Sequence, residues 1–225
     1  MKILIVGATG MVGQGVLREC LAAPDVSEVT VLGRTKIEST HPKLRQLVQD
    51  DLFDLAPVES ALLGMDACFF CLGVSSSGMS EAAYQHITYD LTLAVASVLA
   101  RLSPAMTFVY VSGAGTDSSE QGRSMWARIK GKTENDLKKL PFRAVYLFRP
   151  GIIQPLHGIR SKTPAYQRFY SLANPFLSLI RRIFPNAIAT TENIGQAMLN
   201  AARQAQGRVV VEAKDIVRLS RKLNA

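Results

Sequence analysis

The chain alternates between short, nearly uninterrupted apolar runs and longer stretches in which apolar residues return every three or four positions. The short runs are Lys2 to Val6, Glu28 to Leu32, Leu47 to Gln49, Asp66 to Leu72, Met106 to Ser112 and Arg143 to Arg149. Interiors such as Ile-Leu-Ile-Val and Ala-Cys-Phe-Phe-Cys-Leu lack the alternation of a half-exposed strand, which suits strands covered by helices on both faces. Between them, Met11 to Ala23, Glu81 to Leu102 and Ser124 to Leu140 read as helices, closed by Pro24, Pro104 and Pro141.

Six strands alternating with helices predict an α/β fold, a doubly wound parallel sheet of the Rossmann kind. After Pro150 the regularity fails. Gly151 to Pro164 is loop-like, and Ala165 to Phe184 carries aromatic and aliphatic residues broken by Pro175, so residues 151 to 190 read as a small cap over a substrate. Thr190-Thr191-Glu192 then opens a helix running through Arg203, and Arg208 to Glu212 reads as a late strand. The expectation is one dinucleotide-binding domain over residues 1 to 225, without internal repeats or linkers.

Composition narrows the function classes. At 225 residues and 48% hydrophobic, the chain can fill one core. Three cysteines in apolar settings are too few for a disulfide framework, which predicts a reducing compartment, the cytoplasm by default. The apolar stretch after Lys2 is too short for a secretory signal, and Leu91 to Leu102 falls well below the roughly 20 residues of a bilayer span. The net charge of +8 is scattered, with denser spots at Lys138-Lys139, Arg181-Arg182 and Arg218 to Lys222, so nucleic acid and membrane are both disfavoured as partners. Cys68 and Cys71 form a C-x-x-C, but residues three apart on a strand point to opposite faces, which favours packing over chelation or redox chemistry.

The chemistry sits in the first turn, Gly7-Ala8-Thr9-Gly10-Met11-Val12-Gly13. It follows a buried strand and opens a helix, so its glycines fall where a chain must bend, approach a pyrophosphate and pack helix on strand. No Gly-Lys-Ser/Thr follows, which excludes a nucleoside-triphosphate loop. At the end of the second strand, where an acid would hold the ribose 2′-hydroxyl of NAD, the chain has Gly33-Arg34-Thr35-Lys36. Arg34 there favours the 2′-phosphate of NADP over NAD.

With Ser112 after the fifth strand and Lys130 in the next helix, the chain resembles the atypical branch of the short-chain dehydrogenase/reductase superfamily. The strings Cys71-Leu72-Gly73, Tyr89-Asp90-Leu91, Lys130-Gly131-Lys132-Thr133-Glu134 and Phe148-Arg149-Pro150-Gly151 look like the Tat-interacting-protein-like group and its bacterial relatives. The resemblance covers most of the chain and weakens after Ile153. It implies that Gly7, Thr9, Gly10, Met11, Val12 and Gly13 hold the pyrophosphate and that Asp51 and Leu52 border the adenine. It further implies that Cys71, Leu72 and Gly73 flank the adenosine ribose, and Pro150, Gly151, Ile152 and Ile153 the nicotinamide.

In that superfamily a serine, a tyrosine and a lysine act together, the tyrosine passing a proton as hydride moves. Ser112 and Lys130 match; the tyrosine position, four before the lysine, is Trp126. An indole donates a hydrogen bond but does not ionise near neutral pH, so Trp126 cannot take that role. Tyr84, Tyr110, His86 and His157 are alternative donors. Two readings stay open: an NADP-dependent oxidoreductase on a small unidentified substrate, with Ser112 polarising it and Lys130 fixing the ribose, or a non-catalytic NADP(H) sensor signalling to a protein partner. A homodimer is compatible with either, and no metal site is expected.

Overall fold

A computed structural model of the chain describes residues 1–159 and 188–221. The expected cap segment from Ala165 to Phe184, and the Arg181-Arg182 pair, lie outside the described residues.

The main sheet comprises β1 (Lys2–Val6), β2 (Glu28–Gly33), β3 (Leu44–Val48), β4 (Ala67–Phe70), β5 (Thr107–Val111), β6 (Ala144–Arg149) and β9 (Arg208–Glu212). Its seven strands run in the order β3-β2-β1-β4-β5-β6-β9, all parallel. A separate two-stranded parallel pair joins β7 (Ile153–Gln154) to β8 (Ala189–Thr190). The chain winds outward from β1 in both directions, so the connections after β1 and β4 part company and leave a crevice at their carboxyl ends.

Helices α1 (Met11–Ala22), α5 (Thr191–Gln204) and α6 (Ala213–Arg221) pack on one face; α2 (Glu81–Gln85), α3 (Leu91–Leu102) and α4 (Met125–Leu137) belong to the other. Alternate residues of one strand serve opposite faces, as the pleat requires: Ile3 and Ile5 join the α1 side, Leu4 and Val6 the α3 side. Cys68 and Cys71 divide in the same way, and both are free thiols.

Two elements depart from the pattern read along the chain. The third strand spans Leu44–Val48 instead of residues 47 to 49, because the edge strand is only half covered and accepts Arg45 and Gln46 beside its leucines. The single helix expected over residues 81 to 102 is broken by a π-helical turn, His86–Asp90, between α2 and α3.

The α1–α5 crossing depends on two glycines. A methyl group on Gly15 would lie 2.6 Å from the Thr191 Cβ and 2.8 Å from its carbonyl oxygen, and one on Gly195 would lie 2.6 Å from the Glu19 Cγ. Gly15→Ala should therefore push the helices apart and cost about 1–3 kcal/mol, as overpacked cores do. The check is a lower urea midpoint at unchanged m-value; an unaltered midpoint would mean the crossing yields freely.

Candidate functional site

The crevice begins where β1 ends. Gly7 takes φ +87° and its carbonyl accepts the Gly10 N–H at 3.1 Å. A side chain on Gly7 would sit 2.5 Å from the Leu72 nitrogen, and one on Gly13 would sit 2.1 Å from the Gly7 oxygen. These two glycines are therefore demanded by the protein itself: one lets the turn lie on the Cys71-Leu72 backbone, the other lets α1 settle onto the turn.

Gly10 is different. Its backbone is extended, at φ −78° and ψ 163°, and an added Cβ would meet nothing nearer than the Gly7 oxygen at 3.5 Å. The fold would accept alanine here, so the missing side chain leaves room for something outside the chain.

The start of α1 points the same way. It has no side-chain cap and no acid in its first turn. Helix α5, by contrast, closes its start with a reciprocal Thr190–Asn193 box and places Glu192 in its first turn. The free N–H groups and positive dipole end at Met11, Val12 and Gly13 thus stay available to an anion. Glycine clearance and an open helix start together fit a pyrophosphate.

Around this turn lie the other expected contacts. Cys71 donates its N–H to the Val6 oxygen at 2.8 Å, which carries Leu72 and Gly73 past the glycine turn; Gly73 is exposed with no atom near its α-carbon face. Asp51 accepts the Phe53 N–H at 2.8 Å, while Leu52 is a core side chain, so this pair presents backbone and a turn carboxylate at the crevice edge. The Pro150 oxygen accepts the Ala114 N–H at 2.8 Å, binding the start of the post-β6 segment to the loop after β5. Beyond it, Ile152 is 51% exposed and Ile153 is buried.

A pocket of about 900 Å³ opens between α1 and the segment after β2, lined by Thr9, Gln14, Arg18, Thr35, Lys36 and Glu38 among others. Arg34 is exposed and is not part of that wall. The cations there are Lys36 and Arg18, the latter i+4 from Gln14 on the same face of α1, a spacing visible in the sequence. The Gln46 side chain pins the segment, accepting the Ile37 N–H at 2.8 Å and donating to the Ile37 oxygen at 3.2 Å.

Lys130 and Ser112 are brought together, while Trp126 lies against the loop after β5. The loop after β5 lies tightly on α4: a side chain on Gly131 would overlap the Asp117 oxygen, and Asp117 N–H bonds the Ala127 oxygen at 3.0 Å. Arg128 adds a bidentate pair with Glu81 that ties α4 to α2. Lys130 Nζ consequently donates to the Ser112 carbonyl oxygen. Half-buried Trp126, one turn earlier, packs its ring on Gly115.

Two residues that the sequence reading did not single out decide what Ser112 can do. Its hydroxyl lies 2.6 Å from Glu134 Oε1 and 3.1 Å from the Phe148 oxygen, both acceptors. Its one proton is thus given inward, not to a substrate. The Glu134 side chain is fully buried and is held by Arg149, whose Nε donates to Oε1 at 3.0 Å and whose Nη2 pairs with Oε2. Arg149 continues to Glu212 at 3.2 Å and to the Ser118 hydroxyl. The available signal was Glu134 standing i+4 from Lys130 on one helix face.

Burial pushes the Lys130 ammonium down to about 8, against the opposing pull of Glu134. Among the alternative donors, Tyr84 and Tyr110 are core residues, and burial drives the Tyr110 phenol far above its ordinary range. His86 stacks on Phe53 with ring centroids 4.7 Å apart, and His157 meets Glu192 at 3.0 Å; both histidines are exposed. No cluster of three or more metal-ligating side chains occurs among the described residues.

Two outcomes follow. Gly10→Ala should fold with unchanged stability yet weaken dinucleotide binding about tenfold or more, roughly 1.4 kcal/mol, whereas Gly13→Ala should destabilise the fold itself; calorimetric titration beside thermal melts separates them. For Lys130, the unfolded chain keeps a value near 10.5 against about 8 when folded, so between these pH values the unfolded state binds more protons and stability rises with pH. Lys130→Met should be more stable than the parent below pH 8, and that advantage should shrink towards pH 10.5 in urea midpoints.

Comparison with known proteins completes the description. A family model described as NAD(P)H-binding matches residues 7–139. Protein HTATIP2 of Rattus norvegicus is 30% identical over 157 residues, covering 68% of this chain and 62% of that protein. A protein named FMP52, mitochondrial, of Eremothecium gossypii is 32% identical over 155 residues, covering 68% of this chain and 66% of that one. The chain thus aligns with less than two thirds of the length of each. A solved oxidoreductase of the short-chain dehydrogenase/reductase family from Burkholderia thailandensis shares the fold, with TM-score 0.64 at 17% identity over 99% of this chain and 96% of that one. The mitochondrial name, repeated among several relatives, overturns the cytoplasmic expectation, which rested on reduced cysteines, a property that does not distinguish the two compartments. No helix among the described residues is long and apolar enough to cross a membrane. On the matched model, these relatives and the shared Rossmann sheet, the chain belongs to the NAD(P)H-binding family, within the atypical short-chain dehydrogenases/reductases that include the Tat-interacting-protein-like and FMP52 proteins.

Proposed function

We propose that the protein is an NADP(H)-dependent oxidoreductase of the atypical short-chain type, reducing or oxidising a small, largely apolar carbonyl or alcohol. The observation that carries this reading is the junction of the glycine turn with a cation-bearing pocket. Ala8 and Thr9 of the turn line the same space as Lys36 and Arg18, at the strand end where an NAD site would place its acid. Glu38 on that wall sits five residues past Gly33, beyond the strand end itself.

In this reading Gly7 to Gly13 hold the pyrophosphate, Lys36 and Arg18 meet the 2′-phosphate with Arg34 near the rim, and Lys130 holds the nicotinamide ribose. Ser112 acts chiefly through its backbone carbonyl, which seats the Lys130 ammonium. The bound nicotinamide supplies or accepts the hydride.

One observation favours a second reading. Trp126 cannot transfer a proton and the Ser112 hydroxyl is engaged with Glu134, an arrangement that suits a non-catalytic NADP(H) sensor whose occupancy is read by a protein partner or a second copy.

The test uses Trp126 as the sole tryptophan. NADPH should quench its emission and bind at least tenfold more tightly than NADH, a difference of about 1.4 kcal/mol. Equal affinity would remove the NADP preference. Steady oxidation of NADPH with a panel of aldehydes and quinones supports the oxidoreductase, and tight binding without turnover supports the sensor.

A further inference from the structure

We propose that Lys130 is itself the proton-transfer group of this site: its ammonium delivers a proton to the substrate carbonyl oxygen, the task that a tyrosine four residues earlier would perform. This rests on the oxidoreductase reading and assigns the chemistry that reading leaves without a donor.

The geometry points to it in three steps. The side chain one turn before Lys130 on α4 is an indole packed on Gly115, which has no proton to give near neutral pH. The Ser112 hydroxyl gives its proton to Glu134 or to the Phe148 oxygen, inside the protein. Among the described residues, Lys130 is the ionisable side chain that reaches the carboxyl end of β5 with donors to spare. It spends one N–H on the Ser112 carbonyl, leaving two without a partner among the described residues.

The surroundings make the ammonium a usable acid. Glu134, on the same helix, is paired with Arg149 from β6, and its remaining pull on Lys130 opposes the effect of burial only in part. The phenols of Tyr110 from β5 and Tyr84 from α2 are in the core, and burial holds that of Tyr110 far above its ordinary range. Burial of the ammonium, opposed in part by Glu134, then brings the amine to about 8, close to a working pH, where a general acid is most effective.

The step balances as follows. A dihydronicotinamide gives two electrons and one hydrogen as hydride to the carbonyl carbon. One N–H bond of the Lys130 ammonium breaks, an O–H bond forms on the carbonyl oxygen, and the carbonyl becomes an alcohol. The neutral amine left at Lys130, on a partly buried side chain, regains its proton from solvent. In the oxidative direction the neutral amine takes the alcohol proton.

Two measurements test this on the full chain. In protein labelled with 13Cε-lysine, the resonance lost in Lys130→Arg is assigned to Lys130 and titrated with NADPH bound. A midpoint clearly below the ordinary 10.5 supports the proposal; a midpoint at or above it overturns it. Single-turnover reduction of 4-nitrobenzaldehyde and 9,10-phenanthrenequinone at saturating NADPH should then slow as pH rises through that midpoint. With NADPH raised to saturate the variant, Lys130→Ala should lower the rate about 100-fold or more, and added methylamine or ethylamine should restore it in proportion to the protonated amine. A rate unchanged in Lys130→Ala, or one that no amine restores, overturns the proposal while leaving the oxidoreductase reading in place. If the parent protein binds NADPH yet reduces neither probe, the reading and the proposal fall together.

Discussion

The rest of the molecule depends on how closely the first turn lies on the neighbouring strand end. At Gly7 there is no room for a methyl group against the Leu72 backbone, and at Gly13 there is none against the Gly7 carbonyl. This contact brings the start of α1 to the point where the sheet reverses its winding, with β2 and β3 on one side and β4, β5 and β6 on the other. The same sheet carries Ser112 to its carboxyl edge two strands away, and α4 returns Lys130 to it. A crevice with an open helix start at one end and an amine at the other results from strand order and glycine clearance together.

The two ends differ in how much of their polar capacity is already used. At α1 the helix start is uncapped and Gly10 beside it has clearance to spare, so its N–H groups stay open to an anion. At β5 the opposite holds. Glu134 is fully buried and would be costly alone, so Arg149 and the Ser112 hydroxyl are drawn inward to satisfy it. That network stabilises the loop geometry and seats Lys130, at the expense of the serine as a donor to substrate. The burial that orders the site also lowers the Lys130 ammonium to about 8.

Much of this was legible along the chain. Continuous apolar runs such as Ile3 to Val6 mark strands buried on both faces, the prolines 24, 104 and 141 mark where helices stop, and the spacing of Gly7, Gly10 and Gly13 marks the turn. Where the reading slipped, the cause was local signal too weak to show the neighbour that decides. Arg45 and Gln46 do not look like strand residues until β2 pairs with them, and His86 to Asp90 keep helical periodicity although the turn widens there. Arg34 stood out along the chain as the cation of that strand end, yet it is Lys36, on the segment that Gln46 pins, that lines the pocket.

By itself the sequence determined the fold class, the glycine turn and the absence of a tyrosine before Lys130. Periodicity and steric demand are properties of neighbouring residues, and those are written in order along the chain. Only the tertiary structure decided that Gly10 is spare to the fold while Gly7 and Gly13 are not, that the Ser112 proton goes to Glu134, and that Lys36 and Arg18 share a wall. Each of these depends on distances between segments remote in sequence, where a hydrogen bond or a clash exists only once the sheet has brought them together.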